Sequence, residues 1–149
     1  MDAAHPRSTA RVGIHPIHPM LVHFPIVLFT GALITDLAYW RTADMMWADF
    51  SAWLLTIGVI TGVLAAIAGL IDFIANPLIR AQRAAWLHLV GNVVAMVLAV
   101  FNAFVHTRDA WTSVVPTGVI LSAVVVIILL FTGWLGGSLV YRHGVGVAD

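Results

Sequence analysis

Four long apolar runs divide the chain, and short polar clusters separate them. The first, Pro19 to Trp40, is interrupted only by His23, Pro25 and Asp36. The second runs from Phe50 to Ile74 and the third from Trp86 to Val105. The fourth begins at Val115, is almost wholly aliphatic to Trp134, and continues through Gly136-Gly137 to Tyr141. Each run is long enough to cross the hydrocarbon core, which takes about 20 helical residues. The pattern predicts an all-α fold: an integral membrane four-helix transmembrane bundle with both termini on the same side. It is one domain over residues 1–149, with spans at about 19–40, 50–74, 86–105 and 115–141.

The connections carry ordinary stop and anchor signals. Arg41 to Asp44 forms the first, with Tyr39, Trp40 and Trp47 as interfacial aromatics. Asn76-Pro77 opens the second, which holds Arg80 and Arg83. His106, Arg108, Asp109 and Trp111 make the third. Pro25 leaves two readings of the first span. Either the helix runs from Pro19 and is kinked at Pro25, or it starts near Phe24 with His23 at its cap. Along the second span, Gly58, Gly62, Ala65, Ala66 and Gly69 form a stripe of small residues, which predicts close helix packing.

Composition agrees with a membrane protein and narrows its chemistry. Hydrophobic residues make up 61% of the chain and charged residues 9%. The formal net charge is zero, so no basic face is available for nucleic acid. There is no cysteine, which excludes thiolate zinc sites, cysteine-ligated iron–sulfur clusters and cysteine-anchored haem within this chain. The polar stretch Met1 to Gly13 reads as a short extramembrane segment, not as a cleavable signal peptide. On the side of the termini lie Arg7, Arg11, Arg80, Arg83 and Arg142, against Arg41 and Arg108 on the other. The positive-inside rule then predicts an inner (plasma) membrane protein with cytoplasmic termini.

The histidines are unevenly placed. His15, His18, His23, His88 and His143 all fall at the terminal face, and Asp72 joins them; His106 lies across the membrane. His23 and His88 stand inside the first and third spans, which run in the same direction, so they enter at similar depth. An ionisable side chain inside a span marks a functional site by default. Two imidazoles on facing helices are what axial ligation of a b-type haem requires. His23 and His88 are therefore the preferred axial pair, with His18 and His143 as a second pair or as supporting residues. Arg83 and Arg142 are candidates to meet haem propionates. The alternative is a metal-ion site for zinc, copper or iron drawn from His15, His18, His23, His88, His143 and Asp72, with Met20 as a soft ligand for copper(I). Taken singly, each histidine reads more readily as a cap, an interfacial residue, a loop residue or a tail residue than as a ligand. A weak echo places His23 and Asp36 on the first span as His88 and Asn102 on the third, which would make two parallel two-helix units.

His15-Pro-Ile-His-Pro-Met-Leu-Val-His-Phe-Pro25, opening the first of four spans, resembles the DUF2231 family of predicted membrane proteins. The resemblance covers Ile14 to Val147 and includes Gly136-Gly137-Ser-Leu-Val-Tyr-Arg-His143-Gly-Val. It implies a four-span membrane domain associated with redox chemistry, and it carries no catalytic residues over. Together with the histidines it leads to the expectation of a haem protein in the lipid bilayer that passes electrons between a quinone pool and a redox partner protein. The rivals are metal-ion binding or transport, and a structural subunit or oligomer held by the small-residue stripe. The chain shows no nucleophile–base pair or nucleotide loop of a complete enzyme.

Overall fold

The computed structural model describes residues 5–107 and 114–147. Four helices are long and apolar enough to cross a membrane. They form a bundle whose outer surface carries large apolar side chains, among them Trp53, Ile60, Val97, Leu130 and Trp134.

The first span is built in two pieces. Helix α1, Ile17–Leu21, passes through Val22 into α2, His23–Thr42. Val22 keeps a helical backbone, and its N–H reaches the His18 carbonyl. Pro25 lies in the first turn of α2, where a missing N–H is tolerated. Both readings of Pro25 are thus partly realised: a helix before it, a short discontinuity, and a second start at His23. Ala43, in the left-handed region, ends α2.

Asp44 caps α3, Met45–Ala75, by accepting the Met46 N–H at 3.0 Å. Asn76 caps the short α4, Pro77–Arg80, in the same way through the Leu78 N–H. Helix α5 is Arg83–His106. An irregular turn at Val114–Gly118, with a cis Val115–Pro116 peptide, leads into α6, Val119–His143. Arg108, Asp109 and Trp111 of the third connection lie outside the described residues.

Two hairpins make the bundle. Helix α2 packs most extensively on α3, and α5 on α6; α3–α5 and α2–α6 contacts join the hairpins. The small-residue stripe makes the seam except at Ala66, which, one step of about 100° past the buried Ala65, turns to the exposed face. A Cβ on Gly58 would lie 2.7 Å from the Phe29 ring, and one on Gly62 would lie 2.7 Å from the Met96 sulfur. Phe29, Ala32, Leu55, Ala99 and Val125 form the buried centre.

The described N- and C-terminal segments meet at one end of the bundle. Strands β1, Arg11–Val12, and β2, His15–Pro16, form a minimal antiparallel pair. Asp72, near the end of α3, clasps the segment before it: its carboxylate accepts from Ser8 Oγ at 2.7 Å and from the Thr9 and Ala10 N–H groups at 2.6 and 2.7 Å. The Gly146 N–H donates to the Pro6 carbonyl at 2.9 Å, and His5 lies against Gly144.

Candidate functional site

The histidine pair that the fold brings together is His18 with His88. Their ring centres are 6.0 Å apart and their planes cross at 88°. His18 Nδ1 is 2.8 Å from the Ala65 carbonyl of α3, and His88 Nδ1 is 2.9 Å from the Thr132 carbonyl of α6. A carbonyl oxygen only accepts, so each Nδ1 carries the proton. In the neutral ring Nε2 is then an unprotonated donor of electrons, and neither Nε2 has a hydrogen-bond partner among the described residues. A ligating histidine is usually held in this way, one nitrogen fixed by a carbonyl and the other free for a metal.

Glycines shape both ring positions. A Cβ on Gly69 would lie 2.8 Å from His18 Nδ1, and a Cβ on Gly136 would lie 3.1 Å from His88 Cε1. Each imidazole therefore lies against a helix where only hydrogen replaces a side chain. Asn92, one turn beyond His88, ties the same region together: its Nδ2 donates to the His88 carbonyl at 2.7 Å, and the Thr132 hydroxyl donates to its Oδ1 at 3.4 Å.

The other candidates stand elsewhere. His23 is exposed at the start of α2. It follows His18 by five residues, which on a helix turns it about 140° away. His15 in β2 and His143 at the end of α6 are exposed, as are Arg83 and Arg142. Asp72 is committed to the N-terminal segment. Arg7 and Arg11, the latter in β1, line a small open cavity of about 120 Å³ with Pro16 and Gly146.

At the opposite end of the bundle lies a second polar group that the spacing of the sequence leaves unassembled. His106 is the last residue of α5 and is fully buried. Its Nε2 is 2.9 Å from Asp36 Oδ1, and its Nδ1 is 3.0 Å from the Asn102 carbonyl. Ser122 Oγ donates to Asp36 Oδ2 at 2.6 Å and accepts from Asn102 Nδ2 at 2.8 Å. The signal that finds this group is a repeat of 18 residues, or five helical turns: His18 to Asp36, and His88 to His106.

A family model described as "Predicted membrane protein (DUF2231)" matches residues 14–149. No curated protein and no solved structure matches the chain.

Proposed function

The chain belongs to the DUF2231 family of predicted membrane proteins, and we propose that it holds a b-type haem between His18 and His88 and serves as an electron-transfer subunit. The observation that carries this reading is the pair of free Nε2 atoms on rings 6.0 Å apart. Two imidazoles this close could both reach one metal ion through Nε2, since a metal–nitrogen bond is about 2.0–2.1 Å. The donor set is also the right size. A bare zinc ion takes three or four protein ligands, whereas haem iron, already bound by its macrocycle, lacks two axial ligands. Among the described residues no group of three or more His and Asp side chains gathers as a metal site.

Haem would supply reversible one-electron chemistry at this position. The residues of the chain do the rest. The Ala65 and Thr132 carbonyls fix the tautomer and rotation of each ring, and Gly69 and Gly136 admit the rings to the helix surface. Both rings are half-buried near the end of the bundle where the described terminal segments meet, which supports exchange of electrons with a partner protein at the surface and with a quinone in the bilayer. The arginine distribution supports a plasma-membrane setting with that end cytoplasmic.

Optical spectroscopy of the purified protein tests the reading. A Soret band with sharp reduced α-bands is expected, lost or converted to high spin in His18→Ala and in His88→Ala, and unchanged in His23→Ala and His106→Ala. Protein purified without haem but with stoichiometric zinc, copper or iron would replace this reading with the metal-ion one. Equal loss of haem in the His23→Ala variant would remove His18 from the axial role.

A further inference from the structure

Asp36, Asn102, His106 and Ser122 are 0%, 0%, 0% and 2% exposed, and they come from α2, α5 and α6. A Cβ on Gly118 would lie 2.6 Å from His106 Cε1, so the imidazole fills the space beside the turn before α6. Ionisable side chains placed this deep in a bundle are costly and mark functional positions by default.

The hydrogen-bond inventory defines what the group holds. Asn102 offers His106 Nδ1 a carbonyl, so Nδ1 carries a proton. One further proton lies between His106 Nε2 and Asp36 Oδ1. Placed on either atom it gives the same bonds: imidazolium with carboxylate, or imidazole with carboxylic acid. All remaining donors point toward Asp36, through Asn102 Nδ2 to Ser122 Oγ and from Ser122 Oγ to Asp36 Oδ2. One buried atom is left over: Asn102 Oδ1 has no partner.

We propose that this group is a proton-loading site, binding one proton beyond the one shared by Asp36 and His106. Loading uses two rotations, a half-turn of an amide and a turn of a hydroxyl. The Asn102 amide turns over, which exchanges Oδ1 for Nδ2 at the position facing Ser122. The Ser122 hydroxyl then donates to Asn102 Oδ1, and its freed lone pair accepts from a proton on Asp36 Oδ2. Asp36 Oδ1 keeps the bond from His106 Nε2–H. The incoming proton comes from a hydronium ion, which leaves as water: its O–H bond breaks as the Asp36 Oδ2–H bond forms, the shared proton stays on His106 Nε2, and the net charge of the group rises from zero to plus one. The orphaned acceptor of the unloaded state gains its donor, and the amide Nδ2 becomes the unpaired atom instead.

No other titratable side chain bonds to the group among the described residues. On α2, Tyr39 and Arg41 lie toward the same membrane end, as do Asp44 before α3 and Asp49 on it, and none of them bonds to it. The remaining ionisable residues of α5 and α6 are at the opposite end of those helices, the turn Val114–Gly118 has none, and Arg108 and Asp109 lie outside the described residues.

Infrared difference spectra between mildly alkaline and mildly acidic buffer, taken on the full chain in nanodiscs with ¹³C-carboxyl aspartate, test the proposal. A carboxylic C=O band is expected in acid that shifts with the label, is lost in Asp36→Asn, and moves to higher wavenumber in Ser122→Ala, which removes its acceptor. Nitrogen NMR of labelled histidine should show both His106 ring nitrogens protonated in the loaded state. Acid spectra in which wild type and Asp36→Asn carry the same carboxyl bands would overturn the proposal. If Asp36→Asn does not fold, a Ser122→Ala band at the wild-type position would overturn it as well.

Discussion

His88 stands on its hairpin as His18 stands on the preceding one. Each ring donates Nδ1–H to a carbonyl of the following span, from Ala65 or Thr132, and lies against the glycine four residues later, Gly69 or Gly136. His18 and His88 are 70 residues apart, and so are Asp36 and His106. The two helical hairpins thus carry matching positions: each gives one histidine to the first site, and Asp36 and His106 meet from equivalent places in the second, where Asn102 and Ser122 of the second hairpin join them.

Adding a methyl group at the ring positions should disturb the histidine pair selectively. Gly69→Ala and Gly136→Ala each place a Cβ within 3.1 Å of an imidazole. Overpacking of this kind typically destabilises by about 1–3 kcal/mol. Thermal unfolding in detergent should register the loss, and any haem Soret band should weaken or change spin state. Gly133→Ala, where a Cβ meets nothing within 4 Å, should leave both readouts at wild-type values. Identical behaviour of all three variants would show that the glycines do not shape the site.

Asp72 should matter to the ordering of the N-terminal segment and not to the histidine pair. Asp72→Ala removes the acceptor of the Ser8 hydroxyl and of the Thr9 and Ala10 N–H groups. Leaving buried donors unpaired costs about 1–3 kcal/mol per group when water cannot replace the acceptor. Limited proteolysis should cut before Ile17 faster in the variant, while the optical or metal signal of the purified protein persists. An unchanged cleavage rate would argue that the clasp contributes nothing to holding the segment.

Orientation follows from the arginines. Alkaline phosphatase fused after His143 should be inactive and fused after Arg41 should be active, because five arginines mark the terminal end and two the other. The reverse pattern would invert the membrane orientation and leave the bundle as described.

Much of the architecture was legible in the pattern of apolar runs, because a bilayer demands span length and removes nearly all charge. Which histidine faces inward was not. Helix α2 is apolar nearly all round, so its sequence carries no stripe from which its buried face can be read. The apolar run suggests a start at Pro19 and hence His23 as the first imidazole inside the span. The helix begins at Ile17, and it is His18, a turn earlier, that meets α3. The second site escaped for a related reason. His106 follows the last residue of the third apolar run and reads as a loop histidine, whereas it completes α5 and turns inward to Asp36.

The 18 residues between His88 and His106 set a length along α5 of about 27 Å, close to the roughly 30 Å of the hydrocarbon core. Across a bilayer of that thickness, a large share of a transmembrane voltage falls between two levels so far apart. A unit charge gained at one level differs from the same charge gained at the other by about 2.3 kcal/mol for each 100 mV. That corresponds to roughly a fiftyfold change in the ratio of their occupancies. In any membrane that carries a voltage, the two ends of this small bundle sit at different electrical potentials, and a charge equilibrium at either end is weighted by that voltage.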